Sequence, residues 1–592
     1  MKNNVKRGLV FLLAAAFTIG AAACSGGSSE TKKESSGGTT APSSQKELYK
    51  IDVFSGTANF AGEQTGWFGK IVKDKFNLQL NIIASNLDGG GNKFATLMAS
   101  GNIGDLIVFG DDKGDYINAL KAGLILDWTK DGLLEKYGKD ILAQFPKAIE
   151  KNKIAFGGGK AVYGIGSEAA VKQDGPSEGK EMTWGPDLRW DLYQKIGAPP
   201  INSPQDYLEV LKKMQEIEPK NEQGKPVYGF SFWSDWDSNY KMTLAKQFAC
   251  MNGYDEIVNT PYLVAANEEK YYDMLSEESW YMKSLKLYFD ANQMGLVDPD
   301  SLSQKFDDVI GKYKDGRVLF SWFPWLGAAN YNTPERVNQG KGFALVPFKG
   351  EKIYSYGFNQ FGGTWIMTIG AKAKHPERIM EFINWMYTPE AGMLTAGGGT
   401  SVPNGPKGLT WDVKDGKPYV TDFGWKCYQD PTTQIPAEYG GGTFKDGMNQ
   451  INFANIKPTL KNPEVNEPYD HNLWTTTLNR NPSKLESDWR AKMGALTAKE
   501  YLVKNNMLAV SPQGFNGKEP LIMDKSLEQK NTQIGTVMQQ YSWKMVFAKN
   551  EAEYNKLKQE MISKVKGLGY DEACAFAQKK AEELFEARRA AK

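Results

Sequence analysis

At 592 residues, 41% of them hydrophobic, the chain exceeds what one hydrophobic core fills and calls for two or more lobes. Lysine plus arginine (71) nearly cancels aspartate plus glutamate (70), so no bulk field exists to capture nucleic acid or an anionic membrane. Only His375 and His471 are present, without HExxH; this argues against zinc centres and Ser-His-Asp triads, while carboxylate-pair chemistry needs no histidine and survives.

In chain order, Lys2, Lys6 and Arg7 precede an apolar run from Leu9 to Ala23 that ends at Cys24, the basic, apolar and small-residue order of a signal peptide. The run is shorter than the ~20 residues that span a bilayer. Small residues directly before Cys24 resemble a bacterial lipobox, in which the cysteine is lipidated and becomes the new N-terminus; ordinary cleavage after an AxA stretch is the alternative. Residues 25–46, SGGSSETKKESSGGTTAPSSQK, hold no aromatic or branched aliphatic side chain and read as a flexible linker. Cys250, Cys427 and Cys574 are too few and too scattered for a disulfide framework, so free thiols are expected.

The body opens with a strand-like YKIDVFSG, a helix around GWFGKIVKDKF and a second strand, LQLNIIAS. A helix around KFATLMASG and the strand DLIVFGDD follow. Strands alternating with helices predict a parallel sheet, with ligands beyond the carboxyl ends of its strands; Ser55, Asn59 and Asp111 then lie at a site edge. After GGGKAVYGIGS, Ser203 and Pro204 predict the start of a helix with Tyr207, Leu208, Leu211 and Met214 inside. The strand VYGFSFW, a helix around SLKLYFDANQMG and the strand GRVLFSWFPW come next. FGGTWIMTIG is a further strand, and the helix after it carries Pro376 near its start and Ile379, Phe382, Ile383 and Met386 on one face. The sequence shows no internal repeat and no GxxxxGK[ST], so no ATP site is expected.

Several residues suit sugar recognition, which wants flat rings for C–H faces and Asp, Asn or Arg for hydroxyl rims. FWSDWDSN offers Trp233, Asp235 and Trp236 at a strand end, and SWFPWLGAAN offers Trp322 and Trp325 at another; for each ring, packing in the core or rim is the alternative. Arg189, beside Trp190 and Asp191, suits a fork on a uronate carboxylate, although a salt bridge at the hinge accounts for it somewhat better. Trp365 suits either stacking on a ligand or a strand interior, and Gly397–Gly399 suit a hinge or, more simply, a surface loop.

The order of these segments resembles the extracellular solute-binding lipoproteins of ABC importers, family 1 type, in the large carbohydrate-uptake branch of Gram-positive bacteria. The matching pieces are the lipobox and linker, MASGNIGDLIVFG, AVYGIGS, WGPDLRWDLYQKIGAPPINSPQDYLEVLKKM, KHPERIMEFINWMYTPEAG and GYDEACAFAQKKAEELFEA. The resemblance implies a two-lobed α/β fold of the type II periplasmic-binding-protein kind, closing about a hinge. Its lobes are discontinuous: 47–165 and 360–415 in the first, 166–359 and 416–592 in the second. It also implies a monomer without catalytic activity or cofactor, held through Cys24 on the extracellular face of the cell membrane. Its ligand would be an oligosaccharide, plant-polysaccharide fragments among the candidates, handed to ABC permease subunits. Some relatives carry a calcium loop where this chain has EPKNEQGKPVYG; with only Asn221, Glu222 and Gln223 there, no metal is expected. A secreted carbohydrate-active enzyme using two carboxylates, with Asp235 and Asp237 in question, and a peptide binder of the same fold are the rival expectations.

Overall fold

The computed structural model describes residues 47–84, 90–110, 114–237, 241–396, 402–518 and 521–591, with the backbone alone at 90–92. Cys24, the 25–46 linker, Asp111 and Gly397–Gly399 lie outside the described residues.

The first sheet is built around the strand Tyr49–Ser55. It pairs in parallel with Leu78–Ala84 along its whole length, from Tyr49↔Leu78 to Ser55↔Ala84, and with Leu106–Phe109 on its other side. Ile366–Ile369 then adds antiparallel, Ile366 opposite Phe109, and Ile165–Gly166 closes that edge. Apolar side chains leave both faces, as a strand buried on both sides requires. Val53, Leu80 and Ile82 meet Trp67, Ile379 and Ile383 on one face, while Phe54 and Phe109 meet Phe94 and Tyr116 on the other. The helix Pro376–Met386 follows its sequence pattern, with Ile379, Phe382, Ile383 and Met386 fully buried.

The second sheet centres on Asp187–Arg189, antiparallel to both Phe320–Ser321 and Phe343–Leu345. The expected strand VYGFSFW lies beside it without a regular ladder: Tyr228 bridges Val318 in parallel and Phe320 N–H donates to Gly229 O at 3.1 Å, while on its other side Phe230 bridges Val297. The helix expected from Ser203 starts at Asp206. The Asp206 carboxylate accepts Asn202 N–H (2.8 Å) and Ser203 Oγ–H (3.1 Å), so Ser203 is spent on a turn and caps nothing. Around this sheet Tyr207, Phe230, Phe232, Tyr288 and Trp322 form one core with Ile534, Met538, Met545 and Met561 of the C-terminal helices.

These cores place the boundaries. The chain leaves the first core after Ala170 and joins the second at Met182, returns between Tyr354 and Phe358, and leaves again between Trp474 and Leu485. The last passage corrects the expected switch at 415/416, because residues 411–474 pack on the first lobe. Trp67 explains why. Its indole N–H donates to Phe444 O at 3.0 Å and its ring stacks on Phe444 at 5.7 Å. Gly447 lies so close to this indole that a Cβ there would sit 2.1 Å from Trp67 Cδ1. The segment shows no sheet-forming pattern that would have announced this docking.

Just before that segment Asn404 Nδ2 donates to Met393 O and Tyr469 O, both at 2.6 Å, which turns its Oδ1 toward the His471 backbone N–H (3.0 Å) and Nδ1 (2.9 Å). Nδ1 therefore carries the proton of a neutral imidazole, which stacks on Tyr428 at 4.2 Å. Burial lowers the His471 pKa to about 4, with the nearby Asp470 carboxylate opposing. The unfolded chain takes up a proton near pH 6.5 and the folded one near 4, so stability falls as pH drops through that window. The loss amounts to about 3 kcal/mol at most. Urea unfolding at pH 7 and pH 4.5 should show this loss in the native protein and a smaller one in His471→Gln.

Candidate functional site

In the second sheet Phe320–Ser321 and the 228–232 stretch run in parallel and deliver Trp322 and Trp233 to the same edge. Neither ring reaches solvent. Both are 0% exposed; Trp322 donates its indole N–H to Tyr288 Oη at 2.8 Å, and Trp233 packs edge-on against it with centroids 6.3 Å apart. Arg189 and Trp190, 2% and 1% exposed, are interior as well. Arg189 forks onto Asp191 at 3.0 and 2.9 Å, reaches Glu218 at 3.3 Å and lies over the Tyr331 ring at 4.2 Å. These four expected ligand contacts are corrected to core positions, and the Arg189 ion pair lies inside the second lobe. Arg189 ends the strand Asp187–Arg189, Trp190 opens the helix after it, Trp322 follows Phe320–Ser321 directly, and Trp233 follows the 228–232 stretch.

Three residues onward the chain emerges. Trp236 (40% exposed) and Trp325 (38% exposed) have ring centroids 5.7 Å apart and planes inclined by 31°. Phe306 lies against Trp236 at 4.0 Å, and Phe323 stacks under Trp325 at 4.4 Å. The result is an exposed aromatic platform resting on the buried Trp233 and Trp322 layer. The exposed Asp235 accepts the backbone N–H of Phe306 at 3.1 Å and thereby fixes the start of the helix Phe306–Lys314 beneath Trp236. Asp237 accepts Thr243 N–H (2.7 Å), Trp543 Nε1–H (2.6 Å) and Gln539 Nε2–H (3.3 Å). Burial raises its pKa, and these donors oppose the rise. The two acids hold pieces of their own lobe and do not face each other across a cleft.

From the platform a continuous set of contacts runs along the second lobe to the segments that join the lobes. Thr243 Oγ1 donates to Trp236 O at 2.8 Å and opens the helix Thr243–Cys250. On that helix Lys246 pairs with Asp255 at 2.5 Å and lies 5.7 Å over the Trp184 ring. Asp255 also accepts the Tyr356 hydroxyl at 2.8 Å, and the half-exposed Tyr356 ring lies 5.5 Å from Trp184. Tyr356 in turn lines a cavity of about 210 Å³ with Glu168, Glu178, Asn359, Lys457 and Gln513. Glu178 accepts Ser355 Oγ–H (2.6 Å) and Tyr356 N–H (2.9 Å); burial raises its pKa against both. Lys457 pairs with Glu168 at 3.0 Å.

On the first lobe, Trp365 stands directly before Ile366, which pairs with Phe109 and Gly166, so it lies at the carboxyl edge of Leu106–Phe109. It is half-buried, and its carbonyl accepts Ser167 N–H at 2.8 Å. Asn59 is exposed four residues beyond the end of Tyr49–Ser55. In the 218–228 loop Asn221 Oδ1 accepts Gln223 N–H and Lys225 N–H at 3.1 and 2.9 Å, ordering that turn by itself. Among the described residues no group of three or more His, Cys, Asp or Glu could hold a metal ion. No helix among them is long and apolar enough to cross a membrane.

The sequence reading missed Phe306 and all the cavity residues. Phe306 opens an ordinary amphipathic helix, and the cavity draws its lining from separate joining segments, so neither leaves a local pattern.

No family model matches the chain. The lipoprotein LipO of Bacillus subtilis (strain 168) is 24% identical over 343 residues, 55% of this chain; the aligned part spans 60% of LipO, less than two thirds of its length. Among solved structures, the Streptococcus pneumoniae ABC-transporter substrate-binding protein FusA in complex with kestose aligns with a TM-score of 0.56 at 13% identity, over 90% of this chain and 99% of FusA. The HMO-binding, ABC-transporter-associated solute-binding protein of Bifidobacterium longum infantis gives 0.55 at 14% identity, over 92% and 100%. The chain has the two-lobed α/β fold of these solute-binding proteins.

Replacing Trp233 or Trp322 by Ala should cost about 3–5 kcal/mol of stability in urea unfolding, the range for deleting a buried ring. Unchanged stability in both variants would refute their placement in the core.

Proposed function

We propose that the protein is an extracellular solute-binding lipoprotein that captures an oligosaccharide between its lobes and presents it to an ABC permease. The observation that carries this reading is the Trp236–Phe306–Trp325 platform, exposed at the strand ends of one lobe and linked by contacts to a polar cavity among the segments that join the lobes. Large rings kept at a surface bear a cost in water, and a ligand with flat C–H faces relieves it. The cavity offers hydroxyl, amide and carboxylate groups, the mixture that orients a sugar. Trp365 and Asn59 are the first-lobe contacts. Closure follows when ligand touches both lobes, and it shifts the open–closed balance by no more than the ligand's preference for the shut form.

Solved structures of the same fold bind kestose, HMO and alginate, which favours an oligosaccharide here, neutral or anionic. No hydrolysis is assigned, because Asp235 and Asp237 are each committed to donors of the second lobe. The relative LipO is a lipoprotein, in keeping with anchoring at Cys24 and a working position outside the cell. Delivery to permease subunits as a monomer completes the reading.

Trp236→Ala and Trp325→Ala should each weaken binding roughly 10-fold, about 1.4 kcal/mol of stacking, with unfolding midpoints unchanged. Calorimetry and melting shifts with panels of oligosaccharides and peptides read this out, since ligand raises stability by mass action. A response to peptides alone, or release of reducing ends from a glycan, overturns the proposal. Cys24→Ser should move the protein from the membrane fraction to the medium, as fractionation of expressing cells would show.

A further inference from the structure

We propose that the first lobe carries a second carbohydrate site, separate from the cleft, that takes a neutral, hydroxyl-rich glycan chain. It is a pocket of about 460 Å³ where the strand Lys417–Val420, the helix Asp422–Gln429 and the helix Thr475–Leu478 meet, with Tyr419, Asp422, Trp425, Thr476, Thr477 and Arg480 in its lining. None of these residues lines the cavity among the joining segments.

The polar atoms of the pocket divide into two sets. Thr476 Oγ1 donates to Pro418 O at 2.7 Å and Thr421 Oγ1 to Leu409 O at 2.6 Å, so these hydroxyls build the walls. Thr477 Oγ1 is enclosed and has no hydrogen-bond partner. The Arg480 guanidinium carbon lies 4.5 Å from the Trp425 ring centroid, and the Asp422 carboxylate is 3.8 Å away, beyond a hydrogen bond. The cation–π contact keeps the guanidinium at the pocket, where its N–H groups can donate. A buried hydroxyl without a partner and a pre-set guanidinium fork are groups that a ligand's own hydroxyls would satisfy.

Charge narrows the ligand. Arg480 and Asp422 cancel, so a phosphate or carboxylate meets Asp422 and an amine meets Arg480, whereas a neutral polyol accepts from one and donates to the other. Trp425 and Tyr419 supply the ring surface that sugar C–H faces need. The pocket volume falls within the range of small-molecule sites.

Affinity electrophoresis of the full-length protein through gels containing soluble xylan, galactan, levan or polygalacturonate tests this. At least one neutral polymer should retard the native protein. Trp425→Ala and Arg480→Ala should each weaken retardation at least 10-fold with circular dichroism and melting unchanged, while a Trp236→Ala/Trp325→Ala double variant keeps it. Thr477→Val, which preserves the wall and removes only the hydroxyl, should weaken it several-fold and decides the matter if Trp425→Ala does not fold. The proposal is overturned if no neutral polymer retards the protein, if polygalacturonate alone does, if the pocket variants migrate as the native protein does, or if only the cleft variant loses retention.

Discussion

Trp322 donates its indole N–H to Tyr288 inside a layer formed by Phe230, Phe232 and Trp233, and the exposed face of the second lobe depends on that layer. Tyr288 accepts that bond and its own hydroxyl donates to Leu244 O at 2.9 Å, on the helix that follows the platform, whereas the buried Trp233 indole N–H of the same layer has no partner. With this bond satisfied, the strand ends become a rigid floor. Trp236 and Trp325 rest on that floor, against Phe306 and Phe323.

The lobes are joined by backbone that passes at very short range. A Cβ at Gly166 would lie 2.8 Å from Gly363 O, so glycine is required there, and one at Gly363 would press on the Ser167 hydroxyl at 2.6 Å. Lys151 reinforces the crossing by donating to Gly362 O at 3.1 Å, and burial lowers its pKa to about 8. Around the crossing Glu168 N–H donates to Ala454 O and Ser177 N–H to Tyr356 O, which ties three joining segments together without a helix or a broad sheet. Such a junction is held mainly by backbone hydrogen bonds, which permit bending more readily than a packed core does.

Much of the fold was legible because burial on both faces of a parallel strand leaves a run of branched residues, and amphipathic helices leave a 3.6-residue stripe. LQLNIIA and the Pro376–Met386 helix are where that logic holds most plainly. VYGFSFW misled for a physical reason: only two bridges tie it to its neighbours, although its aromatic residues pack as a strand's would. The segment from 416 to 474 packs on the other lobe than expected because its short strands and turns carry no period long enough to reveal a partner. Its partner, Trp67, lies more than three hundred residues earlier in the chain.

The sequence by itself determined the charge balance, the near absence of histidine, the signal-like N-terminus with its linker, and the alternation of elements that specifies an α/β chain. These are properties of composition and local period, and they need no partner in space. It also marked FWSDWDSN and SWFPWLGAAN as the places where rings gather. Only the tertiary structure decided which rings are floor and which are surface, since Trp233 and Trp236 differ by three positions and by complete burial against 40% exposure. That difference depends on Phe306 and Tyr288, brought in by distant helices, and no local pattern encodes the meeting.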